Sequence, residues 1–270
     1  MNKVSEILSY LTDVAPISWQ ESYDNCGLLV GDANALVDKV LLTLDVTEKV
    51  IDEAIANSFH LVVSHHPLIF KGLKNILVDD TTGRIITKAI KNDIAIAAMH
   101  TNIDNSFYGV NRALAEKLAL NDLNILHLNN SATQQLSDSV TQIGSGMIGE
   151  LENEMSELEF LKLIKERLNI PSLRHSCLLG KNIKKVAICG GSGSFLINDA
   201  KQCKADAYIT ADLKYHDFFE ADNEILIVDA GHFETEQFTK QLFADIILKK
   251  NPKFAVQISE VNTNSVNYFV

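Results

Sequence analysis

The chain has 270 residues, 24 Lys+Arg against 35 Asp+Glu, a formal charge of −11 and 46% apolar residues. At roughly 150 residues per domain this is material for two domains with sizeable cores. The apolar content excludes a disordered chain, and the acidic balance excludes a generalist nucleic-acid binder.

Asn2 and Lys3 lead into an amphipathic stretch carrying Glu6 and Asp13, which is no apolar export signal. Val40–Leu44 reads as a buried strand, and Thr47 as the N-cap of a helix over Glu48–Asn57. Strand Leu61–Val63, helix Thr82–Asn92, strand Ile94–Ala98 and helix Gly109–Leu120 follow. The uncharged stretch Ala54–Phe70 contains three histidines and a proline, so it is no membrane span. The polar segment Asn129–Ser145 reads as a connection or the edge of an insertion. Helix Glu157–Leu168 comes next. Then alternation resumes with strand Lys185–Cys189, helix Phe195–Lys204, strand Ala207–Thr210, helix Leu213–Ala221, strand Ile225–Val228, helix Glu234–Leu248 and strand Phe254–Ile258. Short apolar runs alternating with helical patterns predict an α/β fold with mainly parallel sheets in three layers, α/β/α.

Cys26, Cys177, Cys189 and Cys203 show no C-x-x-C spacing. They read as reduced, buried thiols of a cytoplasmic protein. Between Phe160 and Lys185 seven basic residues face one acidic residue, Glu166. This run reads as a solvated helix pairing its own charges, with a phosphate-facing rim as the sharper alternative.

Open α/β sheets bind ligands beyond the carboxyl ends of their strands. The unusual polar residues fall there: Ser64-His65-His66-Pro67, His100-Thr101-Asn102-Ile103-Asp104, Ala211-Asp212 and Asp229-Ala230-Gly231-His232. Imidazole and carboxylate together form a donor set for zinc, manganese, iron or cobalt. Adjacent His65 and His66 diverge in extended backbone, so each can serve one of two ions, with Asp104 as the bridge. His232 and Glu236 share one helix face at i, i+4. The bland alternatives are a His-His-Pro turn and a surface His–Glu pair. His60, His127 and His175 read as structural or surface residues. Gly190-Gly191-Ser192-Gly193, between a strand and a helix, reads equally as an anion-binding loop or a tight turn, and Asp212 lies near the offset of a ribose-binding acid.

His232 and Glu236 must reach His65, His66 and Asp104 in this scheme. That predicts two interlinked lobes: residues 1–125 plus 231–270 as a metal-binding lobe and 126–230 as a second α/β lobe.

Nearly the whole chain resembles the GTP cyclohydrolase I type 2 homologue family, the NGG-one-interacting-factor-three-like proteins. The likeness rests on Glu21-Ser22-Tyr23-Asp24-Asn25-Cys26-Gly27-Leu28-Leu29-Val30-Gly31, Leu44-Asp45-Val46-Thr47, Ser64–Lys71, His100–Asp104, Gly109-Val110-Asn111, Gly190–Gly193, Asp212–His216 and Gly231–Glu236. It implies a dinuclear metal site in which His65, His66, Asp104, His232 and Glu236 are the ligands and His100 a neighbouring positioning or proton-carrying residue. It also implies a toroidal homohexamer with metal sites facing an internal cavity, here in a compact form without a large extra domain. Tyr23 in place of Trp, Asn105-Ser106-Phe107-Tyr108 after Asp104, and Ala211 before Asp212 depart from the family pattern.

The leading expectation is a metal-dependent hydrolase of GTP cyclohydrolase type. It would carry two divalent ions per chain and act on a small-molecule purine nucleotide at C8, with His100 or His216 moving the proton. A second is a metal-organised scaffold or partner-binding protein with little catalysis. A third, weaker one is a dinucleotide-dependent oxidoreductase using Gly190–Gly193. Nucleic acid and membrane are not expected as partners.

Overall fold

The computed structural model describes residues 1–129, 134–136 and 139–269. The chain forms two compact units, Met1–Ile103 with Thr239–Ser265, and Asp104–Phe238 with Val266–Val270. Both are α/β.

The first unit is built on a five-stranded sheet in the order Ala255–Ile258, Lys39–Thr43, Leu61–Ser64, Ala95–Ala98, Gly27–Val30. The first four strands are parallel and the last is antiparallel. Strands Leu61–Ser64 and Ala95–Ala98 are buried at every residue, which is why they read as unbroken apolar runs rather than as alternation. On one face Leu41, Val62 and Ile96 pack against Val50, Ile51 and Ala54 of helix Glu48–Ala56 and Ile85, Ile86 and Ala89 of helix Thr81–Lys91. Helix Thr239–Lys250 covers strands Lys39–Thr43 and Ala255–Ile258 on the other face, with helix Val4–Thr12 beside it. Helix starts follow their caps. The Thr47 hydroxyl accepts from Val50 N at 3.3 Å, and Asp80 accepts from Gly83 N at 2.7 Å, so the second helix opens at Thr81.

The second unit holds a six-stranded sheet in the order Arg174–His175, Leu226–Asp229, Ala207–Ala211, Asn182–Ser192, Gly144–Ser156, Asn121–Leu128. Only the three strands from Asn182–Ser192 to Leu226–Asp229 run parallel; the outer pairings are antiparallel. The expected mainly parallel character thus belongs to the first sheet, and the second is mixed. Strand Gly144–Ser156 escapes notice because Gly144, Gly146 and Gly149 interrupt its apolar pattern and its Glu152–Glu154 stretch is solvent-exposed. Side chains alternate across this sheet. Val186, Ile188, Ile209 and Val228 meet Leu114, Phe160 and Ile164 on one face. Ala187, Cys189, Tyr208 and Ile227 meet Leu196, Ile197 and Ala200 on the other. Helix Glu157–Leu168 opens on a reciprocal capping box between Ser156 and Glu159 and ends at left-handed Asn169.

The unit boundaries lie at 103/104 and 238/239, not at 125/126 and 230/231. Leu114, Ala115 and Leu118 belong to the core of the second unit, which draws residues 104–125 into it. Helix His232–Glu236 packs on strands Asn182–Ser192 and Ala207–Ala211. The single helix expected over Glu234–Leu248 is two, His232–Glu236 and Thr239–Lys250, and the units divide between them. The expected helix Leu213–Ala221 is a tight 3-10 segment, Tyr215–Ala221, after left-handed Asp212 (φ +57°). Phe195–Lys204 is a 3-10 turn, Ser194–Leu196, running into helix Ile197–Gln202. Part of the polar connection Asn129–Ser145 lies outside the described residues; its last residues open strand Gly144–Ser156. Among the described residues no helix is long and apolar enough to cross a membrane.

Candidate metal centre

Three histidines converge at the carboxyl end of the first sheet. His65 and His66 follow strand Leu61–Ser64, and His100 follows strand Ala95–Ala98. Each offers a ring nitrogen within 4.8 Å of the other two. Their ring centroids are 4.8, 5.2 and 5.5 Å apart. His65 is fully buried and the other two partly so.

Each ring is held by its Nδ1. His65 Nδ1 lies 2.9 Å from the Met99 carbonyl oxygen. A carbonyl can only accept, so Nδ1 carries the proton and the ligand lone pair is on Nε2. His66 Nδ1 is 2.7 Å from Asp45 Oδ1, and His100 Nδ1 is 2.8 Å from Asp24 Oδ1. Metal-binding histidines are commonly oriented in this way by a carbonyl or carboxylate behind the ring. Asp24 is further clamped by the Thr101 amide at 2.9 Å and the Thr101 hydroxyl. Burial would raise the Asp24 carboxyl, but the hydrogen bonds from His100 and Thr101 outweigh it and hold the group well below the usual carboxylate range. Asp45 follows the same rule: burial opposes ionisation, His66 outweighs it, and the net shift is downward. Both acids stay ionised behind their histidines.

A second donor set lies wholly within the other unit. Asp104 and Glu236 present carboxylate oxygens within 4.8 Å of each other, with Glu236 buried. His232 opens the helix that carries Glu236, so the i, i+4 spacing puts His232 Nε2 3.0 Å from Glu236 Oε2. His232 Nδ1 lies 2.7 Å from Asp212 Oδ2. Burial would lower the His232 pKa; the hydrogen bonds and charges of Asp212 and Glu236 reverse this and push it up to about 11. Without a metal, a proton occupies this imidazole between two carboxylates. The site therefore favours a cation, and a divalent ion competes with that proton.

Residues 2–265 match the family Duf34/NIF3 (NGG1p interacting factor 3). The chain belongs to this family. It is 40% identical over 237 residues to a Clostridium perfringens protein named GTP cyclohydrolase 1 type 2 homolog, covering 87% of each chain. It is 37% identical over 269 residues to a Campylobacter jejuni protein of the same name, covering 99% of this chain and all of that one. A crystal structure of a Bacillus cereus protein related to NIF3 superposes with a TM-score of 0.90 at 28% identity over 99% of both chains. The Duf34/NIF3 assignment agrees with the resemblance drawn from Ser64–Lys71, His100–Asp104 and Gly231–Glu236.

The glycine run has a different task from the anion loop weighed above. Gly190 N donates to Asn111 Oδ1 at 2.9 Å and Gly191 N to Thr235 Oγ1 at 3.0 Å, so protein side chains already use these amides. Gly191 has φ +61°, and a β-carbon there would overlap Oε1 of Glu236. The run is the irregular, close-packed end of strand Asn182–Ser192, and it makes room for the Glu236 carboxylate. Asp212 holds His232 rather than a ribose. Three residues of the basic run serve structure: Lys184 Nζ donates to the Leu151 carbonyl at 2.6 Å, Lys185 Nζ to that of Cys203 at 2.7 Å, and Arg174 pairs with Asp229, whereas Lys162, Lys165 and Arg167 are exposed on helix Glu157–Leu168.

His216 is exposed on the turn Tyr215–Ala221, edge-on to Tyr215 at 5.2 Å and tilted against Phe219 at 6.0 Å. It joins none of the metal-capable groups among the described residues. His60, His127 and His175 contact the Asp93 carbonyl, Asp199 and the Ser176 carbonyl. Sequence reasoning passed over Asp24 and Asp45 as supports. Asp45 carried a signal of the same kind as the histidines, a polar residue just past a buried strand.

Proposed function

We propose that the protein is a dinuclear metal-dependent hydrolase of GTP cyclohydrolase type acting on a purine nucleotide. One observation carries this reading: His65, His66, His100 and His232 all present Nδ1 to an oxygen acceptor, which supports Nε2 as the working nitrogen of each, toward metal in His65, His66 and His232 and toward the proton in His100. In this reading His65, His66, Asp104, His232 and Glu236 would hold two divalent ions, zinc, manganese or iron. Such ions supply Lewis acidity and a nucleophile at neutral pH.

The chain's own residues supply orientation and proton transfer. Asp24, kept ionised, holds His100 so that Nε2 can take a proton from water and return it to the leaving nitrogen as the purine imidazole opens at C8. His216 is the outer candidate for the same proton relay. The name shared by the Clostridium perfringens and Campylobacter jejuni relatives supports the substrate class.

The test is incubation of metal-loaded protein with GTP and a panel of purine nucleotides, following loss of purine absorbance and release of formate. Turnover should vanish in His66→Ala and fall by roughly 10²- to 10⁴-fold in His100→Ala. Metal binding without turnover on any nucleotide would instead favour a metal-organised scaffold or partner-binding protein, a reading that the family description as an NGG1p interacting factor supports. A homohexamer is part of the proposal and is read directly by sedimentation equilibrium.

A further inference from the structure

The segment that follows strand Ala255–Ile258 has no regular secondary structure, yet several hydrogen bonds tie it down. Ser259 N donates to the Leu42 carbonyl at 2.8 Å. The Ser259 hydroxyl and the Glu260 amide, the latter at 3.0 Å, both bind the carboxylate of Glu53 on helix Glu48–Ala56. Val261 N donates to Ser259 Oγ at 3.2 Å. These anchors deliver Thr263 to the donor set. Its hydroxyl donates to Asp45 Oδ2 at 2.8 Å, and the other oxygen of the same carboxylate receives His66 Nδ1 at 2.7 Å.

The arrangement repeats one found elsewhere in the unit. Asp24 takes His100 on Oδ1 and the Thr101 hydroxyl on Oδ2. Twice, a carboxylate bridges a threonine hydroxyl to a histidine Nδ1. Thr101 stands next to its histidine in sequence, whereas Thr263 arrives from a distant segment. A carboxylate with one oxygen bound can still swing about its Cβ–Cγ bond. One with both oxygens bound is fixed, and so is the ring it holds.

We propose that Thr263 is a positioning residue for the metal centre: through Asp45 it fixes the His66 ring, so that docking of the segment Ser259–Thr263 and metal binding at His66 are coupled. The inference rests on the metal-binding reading of His66. Coupling is reciprocal: a docked segment tightens metal binding, and bound metal holds the segment.

The test uses full-length protein stripped of metal and titrated with Zn(II) or Co(II) alone, in wild type, Thr263→Val, Thr263→Ser and His66→Ala. Thr263→Val removes the hydroxyl at nearly constant volume. It should weaken binding of one ion by about tenfold, the lower end for partners behind a ligand, with Thr263→Ser returning to within about twofold of wild type. Thermal unfolding of the metal-free proteins should be alike for Val and Ser, which separates a lost orientation from a lost fold. Zn(II) should protect the segment from limited proteolysis in wild type, and less so in Thr263→Val. Weakened binding in His66→Ala with wild-type binding in Thr263→Val would overturn the inference while leaving the metal centre standing. Equal loss in Thr263→Ser and Thr263→Val would also overturn it, since the hydroxyl would then not be the active group. Absence of metal binding in wild type would remove the metal centre and this inference with it.

Discussion

Gly191 yields its side-chain space to the carboxylate of Glu236: a β-carbon there would overlap Oε1 and lie 3.0 Å from Cδ. The same residue has φ +61°, its amide donates to Thr235 Oγ1, and its carbonyl accepts from Thr210 Oγ1 at 3.0 Å. Its backbone is thus held by hydrogen bonds at both its amide and its carbonyl while a buried acid fills the space where a side chain would stand.

Gly191→Ala follows directly. The methyl group cannot be accommodated by a backbone shift without breaking these hydrogen bonds, so Glu236 must move. The variant should lose stability by about 1–3 kcal/mol and lose most binding of the ion that Glu236 serves. Chemical denaturation and a Zn(II) titration measure the two effects. Wild-type metal affinity in the variant would show that Glu236 is not a ligand.

Asp24 sets an acid-side pH dependence. Its folded pKa is depressed from an ordinary value of 3.8, so its contribution to stability is present above that value and lost as the pH falls through the folded one. In metal-free protein, wild type should be more stable than Asp24→Asn at pH 7, by roughly 1–3 kcal/mol for hydrogen bonds to a charged acceptor. The gap should narrow steadily below about pH 4. A gap independent of pH would mean that Asp24 acts through packing alone.

His232 sets the opposite dependence. Its folded pKa is raised from 6.5 to about 11, so its contribution is fully present below pH 6.5 and is lost as the pH climbs toward 11. Metal-free wild type should therefore lead Asp212→Asn most at pH 6 and least at pH 10 in thermal unfolding. A lead that grows with pH would contradict the Asp212–His232 pairing. The same proton must leave when a metal enters, so Zn(II) binding should tighten up to about tenfold per pH unit between pH 7 and 9.

The core of the first unit offers a control at a residue that is not itself a donor. Ile96 is fully buried in strand Ala95–Ala98 and packs in the core of its unit. Ile96→Val should cost about 0.5–1.5 kcal/mol in urea unfolding and leave Zn(II) affinity unchanged. A matching loss of affinity would mean that the donor sets report general stability.

What could be read from the sequence tracks what each residue needs. Leu61–Val63 and Ala95–Ala98 are buried on both faces, where apolar residues are favoured, so the strands are plain. The donors stood out because His and Asp are costly at the ends of buried strands unless they have work to do. Strand Gly144–Ser156 was hidden by its glycines and its exposed glutamates. The roles of Asp24, Asp45, Asp212 and Thr263 were hidden for another reason. Each depends on a partner 76, 21, 20 and 218 residues away, and no local pattern marks such a pairing. The glycine run was read equally as anion loop or tight turn, because what decides it is Asn111 and Thr235, which occupy its amides.

The central proposal is that this chain holds metal through His65, His66, Asp104, His232 and Glu236. Elemental analysis of protein purified without added metal or chelator, beside an Asp104→Ala variant, tests it most directly. The proposal predicts about two divalent ions per chain in wild type, with that number halved or lost in the variant. A wild-type protein that carries no metal, and takes up none on incubation with zinc, manganese or iron, would contradict it.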